Sequence, residues 1–414
     1  MSPIATVGEI DVLDPAIYQS DPHPAYRWLR EHAPVAWDER HGMWIVSCHR
    51  DVVYVSSHAE LFCSGQGIRP TMSYDLSLIG LDEPRHTEQR RLINRGFTPR
   101  MVGGLEPRIR RVANEAIDAV ADRGECDFVA DIAVHVPLVV IAELMGLPLE
   151  DRERFWRWSD AMMGGESAND PDDPRATRAA EAFFEYVTYA ADIVEDRRER
   201  FRAAKARGDE TPIGEDMISK LVAAAEEGVL EESDDAHADE LVSFLVLVVV
   251  AGNETTRNAM SGGMRALSQN PDEWQRLVAD PSLWATATDE IIRWVSPVMN
   301  FARTATCDTE LGGQQIKAGD KVFMLYQSAN RDGAVFDAPD EFRADREPNE
   351  HMAFGIGPHY CLGANLARLE VRTVFEELAR RLPDLRMAPG ADAVYGPSTF
   401  VHTIESLPVV FTPV

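Results

Sequence analysis

Three glycines, a proline and a cysteine fall within ten residues in Phe354-Gly-Ile-Gly-Pro-His-Tyr-Cys361-Leu-Gly363. The following stretch, Leu362 to Arg381, has the pattern of a helix. A cysteine just before a helix points its sulfur at unpaired amide N–H groups and at the positive end of the dipole, and both favour the thiolate. The glycines permit a tight turn and a close approach to a large flat partner. A thiolate held this way can be an axial ligand to haem iron; the plain alternative is a buried loop cysteine. A second cluster interrupts an apolar run, Leu245-Val-Leu-Val-Val-Val-Ala251-Gly-Asn-Glu254-Thr255-Thr-Arg257. Apolar residues on every side predict a buried helix. Gly252 removes a side chain where something approaches closely, and Glu254 and Thr255 are costly at such a depth unless used. Thr255 alone could simply bond back to the carbonyl four residues earlier. Two weaker signals are Glu290-Ile-Ile-Arg293, by itself an ordinary surface pair, and His86 with Arg90, four apart on one helical face.

Together these strings resemble the cytochrome P-450 family. F-G-x-G-x-H-x-C-L-G matches its haem-binding loop and A-G-x-E-T-T its oxygen-activation motif; E-x-x-R, about seventy residues before the cysteine, matches its structural ion pair. The resemblance implies a haem-thiolate monooxygenase of the soluble bacterial type, mainly α with a small β region, carrying haem b with Cys361 on the iron. It implies that His86, Arg90 and Arg303 meet the haem propionates, and that Ala251, Phe354, Gly355, His359 and Gly363 complete the haem site. Glu254 and Thr255 would manage protons. Glu290, Arg293 and Arg346 would hold the cysteine loop without being catalytic. Substrate would meet Ile68, Met72, Met163, Val248, Ala251, Val298, Met299 and Phe400. Electrons would come from a ferredoxin and its reductase, with molecular oxygen as co-substrate. Ala251 to Asn258, Arg293 to Val298 and His359 to Arg368 are similar to actinobacterial enzymes that hydroxylate steroid side chains and branched lipids, and terpene hydroxylases share part of this wording. Two rivals are a peroxide-driven peroxygenase and a non-catalytic haem sensor or electron-transfer protein. Neither needs the pair Glu254–Thr255.

The elements that must position these residues are mostly helical. Helices are predicted from Pro22 to His32, Asp51 to Ser57, around His86 and Arg90, Val102 to Asp122, Ala130 to Met145, Arg152 to Met163, Pro174 to Arg207, Asp216 to Glu226, Ala236 to Gln269 and Ala285 to Val295. Another helix begins at Asn270-Pro271. Val35 to Trp37 and Met43 to Ser47 read as a hairpin; Pro297 to Thr306, Glu310 to Ile316 and Lys321 to Leu325 read as short strands. Leu61 to Gly80 reads as a long loop, which the resemblance puts over the distal side of the haem. The stripe Phe155, Met162, Met163, Phe183, Phe184 and Val187 is either core or the lining of a substrate lid.

The chain has 414 residues, 45% of them hydrophobic, and no linker or repeat at which to divide it; one domain, 1–414, acting as a monomer, is expected. Lys and Arg number 41 against 69 Asp and Glu, a net charge of −28, which argues against nucleic acid or anionic membrane as partners. The five cysteines are odd in number and form no C-x-x-C pair, as expected of reduced thiols in the cytoplasm. Met1 to Asp14 holds acids and no long apolar run, so neither signal peptide nor membrane anchor is expected. Against this acidity, Arg85 to Arg111 holds eight arginines and only Glu88 and Glu106. So local a reversal of sign marks a docking patch for the electron donor, with exposed Arg91 and Arg100 as its contacts.

Overall fold

Helical periodicity dominates the chain, and the computed structural model follows it. It describes residues 6–71, 77–94, 97, 99–165, 173–208, 214, 216–226 and 240–414, and their side chains except at 92, 99, 149, 152 and 163. The helices that build the site are α1 (Arg85–Ile93), α2 (Glu106–Asp118), α3 (His135–Met145), α4 (Arg152–Gly165), α5 (Pro174–Ala206), α6 (Met217–Glu226), α7 (Glu240–Gln269), α8 (Trp284–Val295) and α9 (Ala364–Arg381). Strands β1 (Val35–Asp38), β2 (Met43–Val46), β3 (Phe62–Cys63), β4 (Asn300–Ala305) and β5 (Lys321–Leu325) form one sheet in the order β1-β2-β5-β4-β3. The β2–β5 pair is parallel and the others antiparallel. The molecule is thus mainly α with a small β region.

Local chemistry sets several boundaries. Asp173 caps α5 by accepting from the Arg175 N–H, and Pro174 takes the first turn, where its missing N–H costs nothing. The helix expected over 102–122 is broken in two: Pro99–Gly104 precedes α2, and Pro107 sits in the first turn of α2, where a proline starts a helix rather than continuing one. The stretch before α3, expected to be regular, is a wide turn at Val129–Ala133. The long loop after Leu61 includes β3, which pairs with β4 through Phe62↔Ala305 and Cys63↔Thr304.

The largest apolar cluster lies among the helices, and α7 runs through it with Phe244, Leu245, Val249, Met260, Met264 and Leu267 buried. Two further clusters cover the faces of the sheet. At Gly252, which also borders the cavity described below, a Cβ would meet Ile141 Cδ1 of α3 at 2.5 Å, so the glycine lets α3 and α7 pack without moving that side chain. The close partner expected at Gly252 is therefore a neighbouring helix. Among the described residues no helix is long and apolar enough to cross a membrane.

Candidate active site

A buried helix should show no accessible surface in its middle, yet Ala251 of α7 is exposed and Thr255 is half-exposed. What they face is a cavity. One wall is α7, with Phe244, Leu247, Val248, Ala251 and Thr255; the opposite wall is the loop Ala353 to Gly363 and the start of α9. Val298 and Phe301 close one side, and His86, Arg90, Arg303 and His359 bring four nitrogen bases to the rim.

The cysteine loop is seated by backbone geometry. Gly355 (φ +67°) and Gly357 (φ +74°) lie in the left-handed region, and a Cβ at Gly357 would meet the Ser56 carbonyl at 2.5 Å. The Cys361 N–H donates to the Phe354 carbonyl at 2.8 Å, closing the turn. Gly363 is the N-cap of α9, and its N–H favours the Cys361 thiolate. Burial pushes the Cys361 thiol up, while the Gly363 N–H at the helix start, Arg90 and Arg368 pull the other way.

Two charged networks lock the loop. Glu290 of α8 is bound by Arg293 Nε at 2.7 Å and by Arg346 Nε at 3.0 Å, with all three buried. Their spare N–H groups donate to the carbonyls of Asn330, Asp337, Ala338, Pro339 and Glu341, wrapping the approach to the loop around one carboxylate. The second network was not foreseen. Asp289 accepts from Arg368 Nε at 2.7 Å and from His351 Nε2 at 3.1 Å; Arg368 also reaches the Tyr360 hydroxyl and lies 4.6 Å over the Phe354 ring.

The rim is built for an anion. Arg303 is 4% exposed, pairs with no carboxylate among the described residues, and donates only to the neighbouring Ala302 carbonyl at 2.8 Å. His86 bonds Glu83 through Nδ1 at 3.2 Å and leaves Nε2 buried without a partner. The His359 ring lies 4.1 Å from that of His86, its Nε2 3.2 Å from Ser64 Oγ. Burial and the neighbouring cations hold His359 well below the usual imidazole range. Buried cationic groups without counter-charge are destabilising until an acid arrives. Arg90 borders the same space but donates to the carbonyl of Tyr360. An apolar cavity with a cysteine on one wall and orphaned donors on the rim fits a haem with its thiolate ligand and propionates.

On the opposite wall, Thr255 Oγ donates to the Ala251 carbonyl at 2.6 Å. Glu254 points to the other side of α7, where its Oε2 is 2.5 Å from Arg257 Nη2. Burial outweighs this guanidinium and pushes the Glu254 carboxyl up to about 7. The acid and the alcohol are therefore adjacent in sequence but face different environments.

The remaining expected positions divide. Val248, Ala251 and Val298 line the cavity. Met299 does not: it is fully buried with Ala302 and Phe323 under the sheet, because successive residues of an extended segment face opposite ways. Ile68 is buried outside the wall, its carbonyl bonded to the Ala302 N–H. Phe400 stands one layer back, edge-on to Phe301 at 5.2 Å and under the Arg69 guanidinium at 4.3 Å. Met72 and the Met163 side chain lie outside the described residues. Of the stripe on α4 and α5, Phe155 and Val187 are core, Met162 packs against it, and Phe183 and Phe184 are exposed. The arginine segment is less basic when folded. Arg108 pairs with Glu143, Arg110 with Glu106, Glu376 and Glu377, and Arg85 with Glu240, so acids from elsewhere meet much of the surplus. Arg91 and Arg100 stay exposed.

Comparison with known proteins agrees with this architecture. Residues 283–383, which carry α8, the cysteine loop and α9, match the cytochrome P450 family model. The chain is 39% identical over its full length to a steroid C26-monooxygenase of Mycolicibacterium smegmatis, covering 98% of that protein. It is 40% identical over 98% of both chains to one of Mycobacterium tuberculosis. Among solved structures it is similar to Mycobacterium marinum cytochrome P450 CYP268A2 in complex with pseudoionone (TM-score 0.86, 34% identity, 99% and 100% covered). It is also similar to CYP109E1 from Bacillus megaterium in complex with testosterone (TM-score 0.85, 34% identity, 96% and 99% covered). The chain belongs to the cytochrome P450 family. It is a monooxygenase whose cofactor is haem b and whose substrates are molecular oxygen and a lipophilic compound.

Proposed function

We propose that this enzyme hydroxylates a steroid-like or branched isoprenoid lipid, with Cys361 as iron ligand and electrons from a ferredoxin and its reductase. The observation that carries the ligand assignment is the cavity itself: Cys361 and Thr255 line it together, and at its rim Arg303 has no carboxylate partner among the described residues and His86 leaves Nε2 without one. In this reading His86, Arg303 and His359 hold the propionates. Arg90 braces the cysteine loop through the Tyr360 carbonyl. Haem ligated by a thiolate supplies reductive activation of dioxygen and transfer of one oxygen atom to a C–H bond. The protein contributes orientation, dryness and protons. Thr255 presents a hydroxyl to the oxygen side of the cavity, and Glu254, protonated up to about pH 7, stores a proton behind it. Phe244, Leu247, Val248, Val298 and Phe301 favour an apolar substrate and exclude water. The names of the steroid C26-monooxygenases and of the testosterone complex support the substrate class. The whole chain acts as one catalytic unit in the cytoplasm.

The test has two parts. The reduced, carbon-monoxide-bound protein is expected to show the red-shifted Soret band of thiolate ligation. Titration with steroids, terpenes and fatty acids is expected to give the low- to high-spin shift with steroids or branched isoprenoids. A shift confined to straight-chain fatty acids overturns the substrate class, and turnover with hydrogen peroxide but not with ferredoxin overturns the electron source.

A further inference from the structure

Asp289 and Glu290 are neighbours on α8 and meet different partners. Glu290 is fully buried and takes two guanidinium groups. Asp289 and Arg368 form a pair that stays half-open to solvent, each side chain 31% exposed. Half-exposed pairs contribute little to stability, so holding the fold does not account for this one. Its surroundings are nevertheless ordered. His351, its side chain 3% exposed, donates through Nε2 to the same Asp289 oxygen at 3.1 Å. Against burial, which raises it, the His351 and Arg368 bonds keep the Asp289 carboxyl below the usual carboxylate range. The Arg368 guanidinium lies 4.6 Å over the Phe354 ring, and the His351 and Tyr360 rings flank that ring at 5.7 and 6.3 Å. The Phe354 carbonyl accepts the Cys361 N–H, and Tyr360, whose hydroxyl Arg368 reaches at 3.2 Å, is the residue before Cys361. The positive charge of Arg368 is thus fixed beside the cysteine turn, and its field reaches the Cys361 sulfur. A charge held at one place beside a metal-binding thiolate changes how much electron density the sulfur gives to the metal.

We infer that Arg368 is a positioning residue that raises the reduction potential of the thiolate-bound haem, with Asp289 trimming its charge and His351 holding Asp289 in place. The inference rests on the reading of Cys361 as the iron ligand. The step it governs is the transfer of one electron from the iron–sulfur donor to ferric haem. The donor is oxidised and the haem reduced; no bond forms or breaks and no proton moves. The haem centre gains one negative charge, so a nearby positive charge favours the reduced state and a nearby negative charge opposes it. Arg368 and Asp289 therefore act on the potential with opposite signs. A mere clamp behaves otherwise, because losing either partner loosens the loop in the same way.

The test is potentiometric titration of the haem-loaded wild type, Asp289→Asn, Arg368→Gln and Arg368→Lys, at low salt and without substrate or donor. Each substitution keeps a hydrogen-bonding group in place, so haem and the red-shifted carbon-monoxide band are expected to persist. Arg368→Gln should make reduction less favourable and Asp289→Asn more favourable, each by about threefold in the one-electron equilibrium, ~28 mV at about 59 mV per tenfold. Arg368→Lys keeps the charge and should stay near wild type. The infrared stretch of bound carbon monoxide is a second readout, since greater donation from the sulfur weakens the C–O bond. It should fall in Arg368→Gln and rise in Asp289→Asn. Shifts of the same sign in these two variants identify a clamp and overturn the proposal, as do wild-type potentials in both. A potential in Arg368→Lys displaced as far as in Arg368→Gln also overturns it, since the charge is then not the cause. If Arg368→Gln takes up no haem, Asp289→Asn decides: a higher potential supports the charge role, and an unchanged or lower one rejects it. Absence of the red-shifted band in the wild type is a different failure, of the ligand reading, and removes the proposal with it.

Discussion

Two regions of the molecule are held by different physics. On the cysteine side, charges fix direction: the buried network of Glu290 with Arg293 and Arg346, and the half-buried one of Asp289 with Arg368 and His351, tie α8, α9 and the loop together. Outside the cavity wall, α4 and α5 join through rings and through Glu185, which accepts from Trp158 Nε1 at 2.8 Å and pairs with Arg157. Phe155, Trp158, Tyr186 and Tyr189 pack with centroids 5.4–6.4 Å apart, and one hydrogen bond, from Tyr186 to the Leu245 carbonyl, ties α5 to α7. Ion pairs have one good geometry and apolar packing has many. The first suits an iron ligand, whose position must not vary. The second backs α7, whose Phe244, Leu247 and Val248 line the cavity.

If that division is right, damage to the cysteine side should abolish the holoenzyme, whereas damage to the α4–α5 layer should only retune it. The largest effect is expected from Cys361→Ala: complete loss of the red-shifted carbon-monoxide band, which Cys48→Ala and Cys307→Ala leave in place. Next comes Arg293→Met. It leaves Glu290 buried with half its partners, at about 3–5 kcal/mol for a broken buried pair. Haem content after expression should collapse, and a variant that purifies with full haem and an unchanged melting temperature breaks the comparison.

Thr255→Ala tests chemistry rather than architecture. It should still consume NAD(P)H and oxygen but release peroxide, because the hydroxyl on the oxygen side is gone. The pH profile carries a companion expectation. Glu254 holds its proton until about pH 7, as burial raises its folded value above that of a free carboxyl. The proton is in place below that pH and lost above it, so coupled turnover should decline as pH rises through 7. Glu254→Gln should remove that limb. On α5, Tyr186→Phe deletes one buried hydrogen bond to α7, about 1 kcal/mol. It should alter substrate affinity in the spin-shift titration and leave the carbon-monoxide spectrum as it was.

The sequence was most legible where signals are local. Cys361, Glu254–Thr255 and Glu290–Arg293 sit in short strings whose spacing survives folding, and the element types follow from hydrophobic period. It was least legible where a residue's role depends on a distant partner. Met299 and Val298 are neighbours, and only the strand's register decides which faces the cavity. Asp289 finds its roles in His351 and Arg368, 62 and 79 residues on. The arginine segment misled in the other direction, because pairing with Glu143, Glu376 and Glu377 cannot be counted along the chain.

That last point sharpens the smallest prediction. With many of its arginines paired internally, the segment from Arg85 to Arg111 presents little free charge, and exposed Arg91 and Arg100 are the candidates that remain for meeting an acidic ferredoxin. Arg91 lies one residue after Arg90, whose guanidinium holds the carbonyl next to Cys361. A donor docked over Arg91 is therefore close to the loop that electrons must cross. Exposed charges contribute about 0.2–1 kcal/mol each and act chiefly on the rate of encounter. Arg91→Glu or Arg100→Glu should raise the ferredoxin concentration for half-maximal turnover by about threefold at low salt, a difference that fades as the screening length shrinks to about 8 Å at 0.15 M. Substrate affinity and the carbon-monoxide spectrum should not move, since neither residue touches the cysteine-side networks. Equal half-saturation for wild type and both variants at every ionic strength would mean that the donor docks elsewhere. The cysteine side would then be a purely structural surface, rigid for the iron alone.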